Sequence, residues 1–329
     1  MPMNRRAFSL ITTAALAAAA CVPAQAQTQT QGAAWPTRPI RILVGFPGGS
    51  TPDMAARAIA EPLSQALGQP VIIDNKPGAS GNIATDQVAK ASDDHTLGVV
   101  INGNLTSAKM LYSKLPYDPA KDFSYITLIA TAPLVLVAQP SAPDGAAFFD
   151  AAKKAGDTWN YGSVGTGSVG HLGMELLKSK MPGLNAVHVP YSGNPQVVTA
   201  MVGGQVQMAL VPPGIAGPQV KGGKLKMIGL TSGRSALMPE APPLADAGLK
   251  DFQLEVWTAL IGPASLPKAA QERLAKEMPK IMQNADVRRQ LFNQGWQAVG
   301  TSSEGLKTRI KQESATMADI IAKRNIKIE

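Results

Sequence analysis

The feature that most restricts this chain is a repeated local order: a short β-branched run, a glycine-rich turn, then a helical stretch. From Trp35 the runs Ile40–Phe46, Val71–Ile73 and Leu97–Ile101 alternate with helical stretches at Met54–Leu67 and Gly81–Ala89. Each run is too short to be anything but a buried strand or a loop. The alternation predicts βαβ units and a mainly parallel sheet. Phe123–Gln139 breaks the pattern as two adjacent strands, a natural crossing between domains. A second series follows, with strands at Asn160–Gly162, Val187–Val189, Val206–Val211 and Met227–Leu230, and helices at Leu172–Lys180, Gln196–Val202 and Gly214–Val220. The apolar run Leu254–Gly262 returns the chain to the first domain, and the rest is helical, with Ser302 suited to an N-cap. With 329 residues, about twice a typical domain, the expectation is an α/β, two-domain fold with a ligand cleft between the domains. Domain 1 is expected to be discontinuous, 35–131 with 257–329, and domain 2 to span 132–256.

The first residues read as an export signal, 1–26: Arg5-Arg6, an apolar stretch Ala7–Ala20, and the small-x-small site Ala24-Gln25-Ala26. The apolar stretch is short of the roughly 20 residues that span a bilayer. Arg5–Leu10 resembles a twin-arginine signal loosely, and Ala18–Cys21 a degenerate lipoprotein box in which Cys21 would carry lipid. Cleavage after Ala26 removes Arg5, Arg6 and the single cysteine, so the formal charge of +8 becomes 31 − 2 = 29 basic against 23 acidic residues, or +6. The mature chain is then expected to be a soluble periplasmic monomer without disulfides or cysteine-based metal sites. Scattered basic residues and 5% aromatics give no nucleic-acid face.

Four turns follow strands and so share the rim where open α/β sheets bind ligands. The sharpest is Phe46-Pro47-Gly48-Gly49-Ser50-Thr51-Pro52-Asp53, which precedes a helix. There the unpaired N–H groups and the helix dipole favour an anion. Ser50 and Asp53 also have the spacing of a helix cap, and no Gly-Lys-Ser/Thr follows to make a phosphate loop. The second turn, Tyr161–His171, offers Ser163, Gly165, Thr166, Gly167, Ser168 and His171. The third contributes Asn102 and Asn104, the fourth Tyr191; Tyr191 and Phe46 are expected as apolar walls or as packing beneath their loops. Lys and Arg are missing from these turns apart from the more distant Arg57 and Lys109, so a bound carboxylate would be held by neutral donors, helix ends and ordered water.

Catalytic readings fare less well. Gly165, Gly167 and Gly170 satisfy G-x-G-x-x-G, but no acidic residue stands in Ala186–Pro190, where a dinucleotide site needs one. Thr166-Gly167-Ser168-Val169-Gly170 misses the nucleophile elbow by its leading threonine. An exported hydrolase using Ser168 with His171 is the alternative; His95 and His188 read as structural, and no cofactor or metal is expected.

Taken together these residues resemble the tripartite tricarboxylate transporter substrate-binding receptors, also called the Bordetella uptake gene family. The resemblance runs from Trp35-Pro36 through Pro47-Gly48-Gly49, Leu67–Val71, Asn75–Gly81, Tyr117-Asp118, Tyr161–Ser163, Gly165–Ser168 and Val189–Tyr191 to Gly203–Gln205 and Gly223–Leu225. It implies a periplasmic two-domain receptor of periplasmic-binding-protein-like (type II) fold that clamps a small carboxylate between the loops at 46–53 and 162–171 and delivers it to membrane transporter subunits; a ligand sensor docking to a signalling receptor would look the same. Pro52 displaces Asp53 from its usual place after the glycine pair, and Asp93–Thr96 replaces a more common Asp-Gly-Tyr-Thr turn. The first departure leaves the aim of Asp53 open, and with it any ligand amino group.

Overall fold

The computed structural model describes residues 35–326, so the export signal and Cys21 lie outside the described residues. Eleven strands are present among them: β1 (Ile40–Val44), β2 (Val71–Asn75), β3 (Thr96–Ile101), β4 (Phe123–Pro133), β5 (Val135–Ala138), β6 (Asn160–Ser163), β7 (Val187–Pro190), β8 (Met208–Val211), β9 (Lys226–Leu230), β10 (Glu255–Pro263) and β11 (Gln297–Ala298). They form a six-stranded sheet, β11-β4-β10-β3-β1-β2, and a five-stranded sheet, β7-β6-β8-β5-β9, each packed with helices into a lobe.

Both sheets are mixed rather than mainly parallel. β1 runs parallel to β2 and β3, and β6 to β7 and β8, as βαβ connections require. The crossing strands are the exception: β10 is antiparallel to β3 and β4, and β5 to β8 and β9. These strands pass from sheet to sheet in extended form, β4 running into β5 through Leu134 alone, without a crossover helix to restore direction. Thr231, fully buried beside this crossing, ties the outgoing and returning chains together. Its hydroxyl donates to the Leu254 carbonyl at 2.7 Å and accepts from the Leu134 amide at 2.9 Å, while its own amide donates to the Leu134 carbonyl at 2.9 Å.

The helix Thr51–Leu67 shows how the first lobe is built. Ser50 is extended (φ −75°, ψ 163°) and Pro52 fits the first turn, where its missing N–H costs nothing. Ala55, Ile59 and Leu63 recur at helical spacing and are fully buried against the first sheet. Each of the two large side chains contributes roughly 1.5–3 kcal/mol through that burial. Gly68 ends the helix in the left-handed region at φ 73°, donating to the Ser64 carbonyl. In the second lobe the helix Val169–Lys180 buries Leu172, Met174 and Leu177 completely. Both helices therefore leave a strand end and aim their N-termini at the space between the sheets.

Candidate functional site

Between the lobes lies a cavity of about 30 Å3, room for roughly two waters. Its polar lining consists of Ser50 and Thr51 from the first lobe and Ser168, Gly170 and Asn194 from the second. Apolar side chains supply the rest: Phe46, Pro52 and Ile101 from the first lobe, Val164, Val169, Leu210 and Pro212 from the second, and Leu134 and Val256 where the chain crosses. No lining residue is charged.

Two helix N-termini meet at this cavity. The Thr51 and Asp53 amides open one helix and the Val169 and Gly170 amides open the other, positions that have no acceptor within their own helix. Ser50 is 1% exposed, and among the described residues its hydroxyl has no hydrogen-bond partner. A buried hydroxyl left unmatched costs about 1–3 kcal/mol, and this one lines the cavity at a helix tip. Ser168 is the N-cap of its helix, accepting weakly from the His171 amide at 3.4 Å.

The lobes touch directly around the cavity. Asn194 Nδ2 donates to Thr51 Oγ1 at 2.5 Å. Ser107 Oγ donates to the Gly167 carbonyl at 2.7 Å, and the Ser80 and Tyr112 hydroxyls both donate to the Thr166 carbonyl at 3.1 Å. Backbone approach is close as well: a Cβ at Gly165 (φ 120°) would overlap Ser80, and one at Gly214 would overlap the Gln294 carbonyl. Glycine at both positions is a condition of closure.

Several residues expected to face a ligand instead brace the loops. Asp53 is turned away: its carboxylate accepts from the Gly49 amide (2.9 Å), Asn75 Nδ2 (2.9 Å) and Arg57 Nε (3.0 Å). Burial alone would raise its carboxyl, but these donors hold it below the usual carboxylate range. Arg57 is spent in the same contact and Lys109 on Asp118, so neither cation serves the cavity. Asn102 points to the far side of the sheet, donating to the Glu255 carbonyl at 3.1 Å and Glu313 Oε1 at 2.7 Å. Asn104 donates to the Ser80 carbonyl and Asn82 Oδ1, and bounds a smaller space of about 10 Å3 with Thr166 and Gly167. Gly48 and Gly49 lie on the outer turn, and Gly165 at the seam with Ser80. Tyr191 stands on an outer groove with Gly165 and Ser192.

The second loop rests on a buried aromatic column. His171 and His188 stack at 4.0 Å between centroids, and His188 stacks on Tyr161 at 5.0 Å. Ser163 Oγ bonds His188 Nε2 at 2.7 Å, and His171 Nδ1 accepts from the Gly167 amide at 3.1 Å. Burial pushes both imidazoles down, His171 to about 4 and His188, with the neighbouring His171 as second cause, to about 3. Among the described residues no hydrogen bond joins the His171 ring to Ser168 Oγ, so the two do not form a nucleophile–base pair. Ser163 and His171 therefore position the loop from behind.

Sequence reasoning missed Ile101, Leu134, Asn194, Leu210, Pro212 and Val256 in the lining. Asn194 could have been found, because it opens a helix after β7 on the same rim. A larger, open groove of about 430 Å3 lies behind the crossing, lined by Glu255, Arg309 and Glu313 among others. There the guanidinium is already matched to both carboxylates, at 2.8 and 3.6 Å. Among the described residues no group of three potential metal ligands occurs, and no helix is long and apolar enough to cross a membrane.

The sequence profile of the tripartite tricarboxylate transporter family receptors matches residues 55–326. The chain belongs to that receptor family. A protein from the tcbD–tcbE intergenic region of Pseudomonas sp. strain P51 is 33% identical over 293 residues, 88% of this chain and 87% of that one. Two solved Rhodopseudomonas palustris proteins superpose over most of the chain. MatC with bound malate has a TM-score of 0.82 at 30% identity, covering 87% of this chain and all of its own. A second, with adipate, has a TM-score of 0.85 at 28% identity, covering 89% of this chain and 99% of its own. The α/β two-domain architecture is that of the periplasmic binding proteins.

Proposed function

We propose that this receptor-family chain captures a small carboxylate between its two lobes, in the periplasm, and hands it to the membrane subunits of a tripartite tricarboxylate-type transporter without chemical change. The observation that carries the reading is the Ser50 hydroxyl: buried, unmatched, and set at one of two helix N-termini that meet in a cavity free of charged side chains. Once the lobes part to admit the acid, a carboxylate placed there would accept from Ser50 and from first-turn amides of both helices, gaining charge-assisted hydrogen bonds in a water-poor site. Malate and adipate bound to the two superposable relatives support an organic acid as the ligand class. The separation of His171 from Ser168 speaks against a hydrolase. The ligand-stripped protein should melt at a higher temperature with some members of a carboxylate panel and not with the matching primary amides. Equal response to amides, or to no carboxylate at all, would overturn the reading.

A further inference from the structure

A second buried donor beside the cavity is left unmatched. Asn82 opens the helix Asn82–Ala89 in the first lobe and is 4% exposed, and among the described residues its Nδ2 has no acceptor. Its Oδ1 is fully used, accepting from Asn104 Nδ2 and from the Tyr117 hydroxyl, both at 2.8 Å. The amide therefore cannot turn over without losing both contacts. Asn82 borders the smaller space beside Asn104, and that space shares Ile101 and Ser168 as walls with the cavity at Ser50. Gly81 packs the base of the same helix against Phe46, another wall of that cavity: a Cβ at Gly81 would lie 2.7 Å from the Phe46 ring. Resting on the carboxylate reading, we infer that Asn82 is a second ligand anchor, whose side-chain amide takes the oxygen at the far end of an acid held by its carboxylate at Ser50.

The donors around Asn82 single it out. The Ser80 and Tyr112 hydroxyls donate to the Thr166 carbonyl and Ser107 Oγ to the Gly167 carbonyl, so these three hold the loop of the second lobe. Asn104 Nδ2 gives its two hydrogens to the Ser80 carbonyl and to Asn82 Oδ1. The Asn82 amide keeps both of its own hydrogens, and Ser168, which accepts the His171 amide, keeps its O–H on the wall between the two spaces. A buried amide without an acceptor is unfavourable, and a ligand oxygen relieves it. With the lobes together both spaces are only water-sized, so the acid must seat before closure. Ser50 and Asn82 both belong to the first lobe, which can therefore take up the two ends of the acid together. Closure then lays Thr166, Gly167 and Ser168 of the second lobe over it.

The test is titration calorimetry at pH 7.5 on the ligand-stripped protein, comparing each straight-chain diacid from succinate to suberate with the plain acid of the same length. In the wild type the diacid of best-fitting length is expected to bind at least about tenfold more tightly than its plain partner, the gain from one hydrogen bond to a charged group. Asn82→Ala should close that gap while leaving the affinity for the plain acid unchanged. The substitution spares the neighbours, because the Tyr117 hydroxyl keeps the Asn104 carbonyl and Asn104 Nδ2 keeps the Ser80 carbonyl, both at 2.9 Å. Asn82→Asp retains Oδ1 for both and turns the donor into an acceptor, so there the diacid should bind more weakly than the plain acid. A plain acid bound by the wild type as tightly as its diacid, a comparison that needs no variant, would overturn Asn82 as an anchor. So would a gap that survives either substitution; in both cases the carboxylate reading stands. Binding of none of the acids would overturn both.

Discussion

Lowering the pH from 7.5 to 4.5 is expected to destabilise the second lobe through His171 and His188. Both imidazoles are held neutral by burial, at about 4 and about 3, against an ordinary value of 6.5. In the unfolded chain they take up protons as the pH falls through 6.5, while in the folded lobe they do not. The unfolded state then binds more protons, so the stabilisation present above 6.5 is lost on acidification. Each histidine titrating only when unfolded changes stability by about 1.4 kcal/mol per pH unit, and over the two units below 6.5 this gives on the order of 2.5 kcal/mol apiece. The pair accounts for up to about 5 kcal/mol, a large share of a typical domain's 5–15 kcal/mol. Glu175 and Asp53, held below the usual carboxylate range, add to the loss only at the acid end of this window, where the unfolded carboxylates begin to take up protons. Urea titrations followed by circular dichroism at one-unit pH steps read the slope. Replacing both histidines with glutamine should flatten it. A wild-type midpoint unchanged between pH 7.5 and 5, or a slope unaffected by the double substitution, would refute the reasoning.

Other substitutions separate closure from contact. Gly214→Ala puts a methyl group into the Gln294 carbonyl across the seam between the lobes, and opening relieves that clash; affinity for every ligand should drop by at least about tenfold, since binding draws on a smaller closed population, while each lobe keeps its secondary structure. Tyr112→Phe removes one lobe-to-lobe hydrogen bond of about 0.5–1.5 kcal/mol, so calorimetry should show a uniform loss of about two- to tenfold across ligands, and a loss confined to one ligand would place Tyr112 in the site instead. Asp53→Asn weakens the contacts of Gly49, Asn75 and Arg57 and should cost about 1–3 kcal/mol in urea unfolding. It should not change the preference between amino acids and plain acids, which a ligand-facing carboxylate would.

The strand–turn–helix order was legible because burial enforces it: Ile40, Ile42 and Val44 are fully buried, and no surface run would need that density of branched side chains. The two strands at Phe123–Gln139 were legible for the same reason, but their direction was not. Register across a sheet depends on partners far away in sequence, such as Glu255–Pro263 pairing with Phe123–Pro133. The helix Gly145–Ala155 escaped notice because its buried signal is only Phe148, Phe149 and Ala152 beside an exposed polar face. At the site, the glycine turns announced the helix tips, whereas side-chain aim was hidden. Asp53 and Asn102 are polar residues on the correct rim, yet local donors and acceptors, Arg57 for one and Glu313 for the other, turn them away from the cavity. Leu134 and Val256 read as ordinary core residues until the crossing strands bring them under the cavity.

Ser50→Ala tests the central claim most directly, because the two readouts are expected to move apart. The Ser50 hydroxyl has no partner among the described residues, so its removal should leave the urea midpoint unchanged or slightly raised. A hydrogen bond to a charged ligand is worth about 1.5–3 kcal/mol, so calorimetry with the best-binding carboxylate should show affinity reduced about 10- to 150-fold. Undiminished affinity in a fully folded Ser50→Ala protein would contradict the assignment of this cavity as the carboxylate site.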